Sequence, residues 1–229
     1  MINVFRRTTF APVLLGLASL AVSPSLFAQD AKPVTNLGRQ LERIDLAVSG
    51  VGIFSGNTSG TNYLSQSVAL QPSNTLGAVV SLRYIHSPYL GFEGNYGYAR
   101  YSQNFTLGKS TTTSNPAAYY GVQSNARETT GGYVIHTRGQ HFGVTPFAAI
   151  GVGSIAFKPT TYGGEGLIQQ YRAAYYYGIG ADASISPHIG VRAQFRQLFY
   201  KAPDFLTNYL TDNPRTTTSE PSIGVYLRF

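Results

Sequence analysis

Apolar and polar positions alternate along most of this chain. In 222–229, Ile223, Val225, Leu227 and Phe229 fall on one face of an extended strand and Gly224, Tyr226 and Arg228 on the other, because successive side chains of a strand point to opposite sides. The same period of two predicts seven strands upstream. Strand 43–54 sets Leu46 and Val48 against Asp45 and Ser49, and strand 74–86 sets Leu76, Ala78, Val80, Leu82 and Tyr84 against Ser81 and Arg83. Strand 90–104 sets Phe92, Tyr96 and Tyr98 against Glu93 and Asn95; strand 126–137 follows, then 144–157 with Ala148, Ile150 and Val152 on its apolar face. Strand 171–185 sets Ala173, Tyr175, Tyr177, Ile179 and Ala181 against Asp182, and strand 189–200 sets Val191, Ala193, Phe195 and Phe199 against Arg192, Gln194 and Arg196. Three short turns, around Pro88, 138–143 and Pro187, alternate with four long connections, 55–73, 105–125, 158–170 and 201–219, rich in Gly, Ser, Thr and Asn.

The charged faces decide which way the sheet is turned. A soluble eight-stranded barrel buries apolar side chains; here Asp45, Arg83, Glu93, Asp182, Arg192 and Arg196 form the inward set, so the apolar face is expected to meet lipid. The free edge of the last strand is expected to pair with the first strand and close the barrel. After residue 28 no window approaches the roughly 20 apolar residues of a membrane helix. The expected fold is therefore all-β, an eight-stranded antiparallel up-and-down transmembrane β-barrel over 43–229.

Composition agrees with that class. Charged residues make up 12% of the chain, about half the usual share in a soluble protein. The 17 Tyr, 13 Phe and 25 Gly suit aromatic girdles and crowded, curving strands. Without tryptophan, Tyr and Phe must form the girdles alone. The absence of cysteine excludes a disulfide scaffold and a thiolate metal site. Basic residues are scattered despite the formal charge of +7, so nucleic acid is not an expected partner. At the amino terminus, Arg6 and Arg7 precede the apolar run from Phe10 to Val22, and Leu26-Phe27-Ala28 follows; 1–28 reads as a cleaved signal peptide and 29–42 as a short periplasmic lead-in without a fold of its own.

An internal repeat carries the most specific expectation. The segment from Arg83 to Glu93 aligns without gaps on that from Asp182 to Arg192, each centred on Ser-Pro, with opposite charges five residues either side of the proline. Positions equidistant from a hairpin turn face each other on the same side of the sheet. Arg83 is thus expected to meet Glu93, and Asp182 to meet Arg192, with the signs exchanged. Asp45 and Arg228 form a third expected pair across the closing strands.

These features resemble the OmpA, OmpX and OmpW group of small outer-membrane barrels across nearly all of the mature sequence. The resemblance implies a bacterial outer-membrane location, short periplasmic turns and long extracellular loops. It also implies recognition of the aromatic end, Phe229, by the barrel-assembly machinery, with periplasmic chaperones as transient partners. No peptidoglycan-binding domain is expected after the barrel.

Function is expected to lie in the loops. A barrel of eight strands is only wide enough for its own side chains, so the ion pairs read as a satisfied polar core and the protein as a scaffold presenting four loops for adhesion, recognition or envelope integrity. A narrow or lateral conduit of the OmpW type is the alternative. A lipid A enzyme is the third class, but His86, His136, His141 and His188 all fall near the periplasmic turns, away from the outer leaflet, and no catalytic residue is assigned. No cofactor is expected: Gly151-Val152-Gly153 lacks the following helix of a phosphate cradle, and the acidic loop residues are too dispersed for a calcium site. At the loop end Lys109, Arg127, Lys158, Arg172, Lys201 and Arg215 outnumber Glu165, Asp204, Asp212 and Glu220, with Glu128 set aside as inward. A plain solvated surface accounts for this excess, as does contact of Lys109, Lys158 and Lys201 with lipopolysaccharide phosphates.

Overall fold

The computed structural model describes residues 36–109, 116–140, 142–164 and 166–229. The expected signal peptide, residues 29–35 of the lead-in, loop residues 110–115, His141 and Glu165 lie outside the described residues.

Ten strands follow a short helix α1 (Asn36–Leu41): β1 (Ile44–Ser55), β2 (Thr58–Thr61), β3 (Ser67–Pro72), β4 (Thr75–Ile85), β5 (Leu90–Leu107), β6 (Ala118–His136), β7 (Val144–Pro159), β8 (Gln170–Ser184), β9 (Ile189–Lys201) and β10 (Arg215–Arg228). Eight of them, all but β2 and β3, close into an antiparallel barrel in the order β1, β4, β5, β6, β7, β8, β9, β10, with β10 returning to β1. Closure gives each of these eight strands a neighbour on both sides, so none presents an open edge to lipid. The closing ladder runs from Asp45 against Arg228 to Val51 against Ser222, then resumes at Phe54 against Ser219. The gap falls at Pro221, a residue that lacks a backbone N–H.

Burial follows the predicted alternation. Along β4, Leu76, Val80 and Leu82 are exposed while Val79, Ser81 and Arg83 are buried. Outward aromatic side chains on neighbouring strands pack in tilted pairs, among them Phe92 with Tyr133 and Tyr177 with Phe199, with ring centres 5.2 and 5.7 Å apart.

Three boundaries differ from the sequence expectation. First, β5 and β6 have 18 and 19 residues, nearly twice the roughly 9–11 of a tilted crossing. The span 105–125, expected as loop, contributes strand as far as Leu107 and again from Ala118, because Phe105, Leu107 and Val122 continue the inward alternation. Second, 55–73 contains the hairpin of β2 and β3; Val68 and Leu70 are buried and β3 adds itself to the extended part of β5. Third, β10 begins at Arg215, so the last loop is 202–214. In the lead-in, α1 folds where no structure was expected, and Tyr84 Oη donates a 2.6 Å hydrogen bond to Gln40 Oε1.

Candidate functional site

The interior is built in layers, and the first, nearest the short turns, is ionic. Arg83 Nη2 lies 2.6 Å from Glu93 Oε2, Arg192 Nε lies 2.7 Å from Asp182 Oδ1, and Arg228 Nη2 lies 3.6 Å from Asp45 Oδ2. The three pairs are not separate. Arg83 Nη1 reaches across the lumen to Asp182 Oδ2 at 3.1 Å, and Arg192 Nη2 reaches Asp45 Oδ1 at 3.0 Å. Three guanidinium groups and three carboxylates thus form one network, with the Phe147 ring 4.2 Å from Arg83 Cζ and Tyr226 5.2 Å from Arg192 Cζ. Such balance matters because an unpaired buried charge costs several kcal/mol.

Above this network, Ser81 Oγ donates to Asn95 Oδ1 at 2.6 Å and Asn95 Nδ2 to Glu93 Oε1 at 2.9 Å. Tyr176 lies beside Gly151, where an added Cβ would come 2.5 Å from the Tyr176 ring. A second ionic group follows. Arg196 holds Glu128 with two hydrogen bonds of 3.0 and 2.9 Å and donates a third to Glu220. Sequence reasoning missed this triad. It counted Glu220 among the acids of the exposed end, whereas Glu220 is buried on β10 facing the lumen. The inward alternation of Gly224 and Tyr226, carried four residues further back, would have found it.

The loop-side half of the interior is richer in apolar side chains, with Gln103, Ser124, Thr216 and Thr218 buried among them, so the charged part of the expected polar interior is confined to the layers nearer the short turns. Val51, Ile53 and Ile155 are buried beside the triad, Tyr101, Phe157 and Leu198 beyond it towards the loops, and Phe105, Leu70 and Val122 continue upward. Beside the triad a cavity of about 30 Å³ is lined in part by Glu128, Glu220, Tyr101, Tyr200 and Thr218, room for no more than a few waters.

The last loop closes the mouth. Phe205 packs edge-on to Phe105 with ring centres 6.3 Å apart, and Leu210 is buried beside them. Phe205 and Leu206 both take left-handed backbone conformations, φ 51° and 61°, each costing about 1–3 kcal/mol. The anchor that holds them there is Asp204. Its carboxylate accepts hydrogen bonds from Gln170 Nε2 at 2.5 Å, Thr211 Oγ1 at 2.7 Å, Arg172 Nη2 at 3.0 Å and the Leu206 N–H at 3.1 Å. Burial works to raise its pKa, but the Gln170 and Thr211 hydrogen bonds and the Arg172 charge prevail and hold the carboxyl below its ordinary value. Asp212 is opposite in sign: burial pushes it up, against a hydrogen bond from Thr58. Arg172 and Asp204, counted in the sequence among the charges of the loop end, form an ion pair with each other.

The remaining expected residues sit apart from one another. Lys109, Lys158 and Lys201 are exposed at the loop end on different strands or loops. Phe229 is half exposed beside the start of β1, its N–H 3.3 Å from Ile44 O. His86, His136 and His188 lie at or beside the short turns; His188 Nδ1 is 3.1 Å from Arg228 O. Among the described residues no cluster of His, Cys, Asp and Glu has the makings of a metal site.

Solved structures of similar shape share little sequence. Neisserial surface protein A aligns with a TM-score of 0.52 at 13% identity, over 81% of this chain and 97% of that one. The outer membrane protein OprG from Pseudomonas aeruginosa aligns with a TM-score of 0.55 at 9% identity, over 81% of this chain and 95% of that one. These likenesses concern the fold alone. No curated protein matches the sequence. The family model described as "Outer membrane protein beta-barrel domain" matches residues 13–229, and with the closed barrel and its lipid-facing apolar wall in view, the chain belongs to that family of bacterial outer-membrane barrels.

Proposed function

We propose that this barrel is a closed, non-enzymatic scaffold that holds its loops at the cell surface for adhesion, recognition or envelope integrity. The observation that carries this reading is the filled lumen, ionic below and aromatic above, with its mouth covered by 202–214. In this reading the charged residues are a satisfied core rather than a pathway, and Phe229 is the assembly signal met by the barrel-assembly machinery. Outer-membrane lipid surrounds the barrel, and lipopolysaccharide is its partner at the exposed cations Lys109, Lys158 and Lys201. The described histidines stand at the end away from the outer leaflet, which favours no lipid A chemistry. The test is single-channel conductance of the refolded barrel in a planar bilayer. Silence is expected; steady conductance that changes in Arg192→Ala overturns the scaffold reading and makes the interior charges a pathway.

One observation favours a lateral conduit as a second reading. The closing ladder is interrupted at Pro221, and there the outer wall carries a groove of about 460 Å³ lined by Gly50, Gly52, Leu76, Gly77, Pro221 and Ile223. Val51 lines both this groove and the internal cavity. Vesicle uptake of an apolar dye that falls in Pro221→Val would support the conduit, and uptake equal to protein-free vesicles would remove it.

A further inference from the structure

Charge is segregated across the barrel wall. The acidic side chains of the described barrel strands, Asp45, Glu93, Glu128, Asp182 and Glu220, are all buried in the lumen. The charged side chains that face outward from those strands are all basic and lie towards the loop end: Arg100, Arg127, Lys158, Lys201 and Arg215.

Two of these cations are set directly against each other. Lys201 ends β9 and Arg215 begins β10, paired in register and both exposed. Like charges at opposed positions of neighbouring strands repel, and neither side chain forms an ion pair among the described residues. The acids of the adjoining loop relieve them only in part, through the attraction of Asp212 for Lys201 at a distance longer than an ion pair. Asp204 is taken up by Gln170, Thr211, Arg172 and the Leu206 N–H, and Asp212 is tucked under Thr58. By contrast, Arg100 Nε donates to Asn125 Oδ1 at 2.7 Å.

Beside the pair, the outer wall carries a groove of about 220 Å³ lined by Tyr171, Ala173, Tyr175 and Phe199 together with Arg172, Lys201 and Arg215. Ala173, small and between two outward tyrosines, leaves the space. Cations at its upper end and aromatic walls running down the lipid-facing side match an amphiphile with an anionic head and an apolar tail. We infer that Lys201 and Arg215 hold a phosphate of an outer-leaflet glycolipid whose acyl chain lies in the groove of Tyr171, Tyr175 and Phe199. This deepens the lipopolysaccharide reading above and centres it on one face of the barrel, where Lys201 acts with Arg215 rather than with Lys109. Free phosphate would satisfy the cations but leave the groove empty.

The full mature chain, refolded into phosphatidylcholine vesicles doped with diphosphoryl lipid A, provides the test, with bound lipid counted by native mass spectrometry. Lys201→Gln with Arg215→Gln should weaken retention roughly 10- to 30-fold, on the scale of two interfacial cations. Arg100→Gln with Arg127→Gln, the same change in net charge on another face, should leave it intact, and dephosphorylated lipid A should bind the wild type as weakly as the first variant binds the diphosphoryl form. Unchanged retention in the first variant, equal losses in both, or full displacement of lipid by millimolar inorganic phosphate would each overturn the inference. Heat-modifiable gel mobility reports folding, and conductance of the same preparations reports on the scaffold reading independently.

Discussion

Arg192→Ala tests whether the lower ionic network holds the barrel together. Arg192 is 2% exposed. The substitution removes two hydrogen bonds to Asp182, of 2.7 and 3.0 Å, and one of 3.0 Å to Asp45. Asp182 keeps Arg83 at 3.1 Å, but Asp45 is left with Arg228 alone at 3.6 Å. Three carboxylates then face two guanidinium groups, and an uncompensated charge of this kind costs about 3–5 kcal/mol. Arg228→Ala is the internal control: its side chain is 33% exposed and its contact longer, so the cost should stay within about 1 kcal/mol. Arg192→Met with Asp182→Leu removes one charge of each sign, and should cost less than Arg192→Ala although it deletes more polar atoms. Urea titrations of folding into lipid vesicles, read by heat-modifiable mobility and extrapolated linearly, give the three values. Equal costs for Arg192→Ala and Arg228→Ala, or a double variant costlier than the single, would refute the reasoning.

The upper triad and the covering loop yield two more expectations. Arg196→Met strands both Glu128 and Glu220 and should cost about 3–5 kcal/mol, whereas Glu220→Gln leaves the bidentate pair with Glu128 intact and should cost about 1–3 kcal/mol, both measurable in the same urea titration. The carboxyl of Asp204 is held below its ordinary value, so its contribution to loop docking is present above the ordinary carboxylate range and is lost as pH falls through the lowered one. Hydrogen exchange at 202–214, corrected for intrinsic rates, should therefore quicken in acid in the wild type. Asp204→Asn should lose this acid step, and profiles of the same shape in both proteins would count against the anchor. Asp212, raised by burial, acts in the opposite sense, its contribution fading as pH rises, so Asp212→Asn should steepen the acid step.

The lower half of the barrel was legible because sequence and geometry share one period there. Arg83 and Glu93, like Asp182 and Arg192, are equidistant from a Ser-Pro turn, so counting along the chain located their partners on neighbouring strands. Contacts across the lumen carry no such count. Arg83 to Asp182 and Arg196 to Glu128 join strands that are not neighbours, and their distances depend on closure. The upper half was misread for a different reason. Gly, Ser and Thr between residues 55 and 73 read as loop, but Val68 and Leu70 alternate among them and lie buried against β5. Phe205 and Leu210, within the last loop, gave no periodic signal at all; their burial depends on the left-handed turn at Phe205 and Leu206 and on the Asp204 anchor.

The exchange of signs between the two repeated hairpins has a physical consequence for the whole barrel. In the closed order β4 and β8 stand diametrically opposite, and each is the first strand of its Ser-Pro hairpin. Had both hairpins carried their charges in the same order, two guanidinium groups would confront each other across the lumen beside Phe147. With the order reversed, Arg83 meets Asp182 instead, and Arg192 is left free to reach past β10 to Asp45 on β1. Neighbouring hydrogen bonds fix each strand only against the next, and a slip of two residues preserves every inward and outward face. The cross-lumen pairs do not survive such a slip, because they require both hairpins and the closing strands to be in place together. The ionic layer thus specifies the register of closure, while the aromatic layer above it seals the mouth beneath the loops.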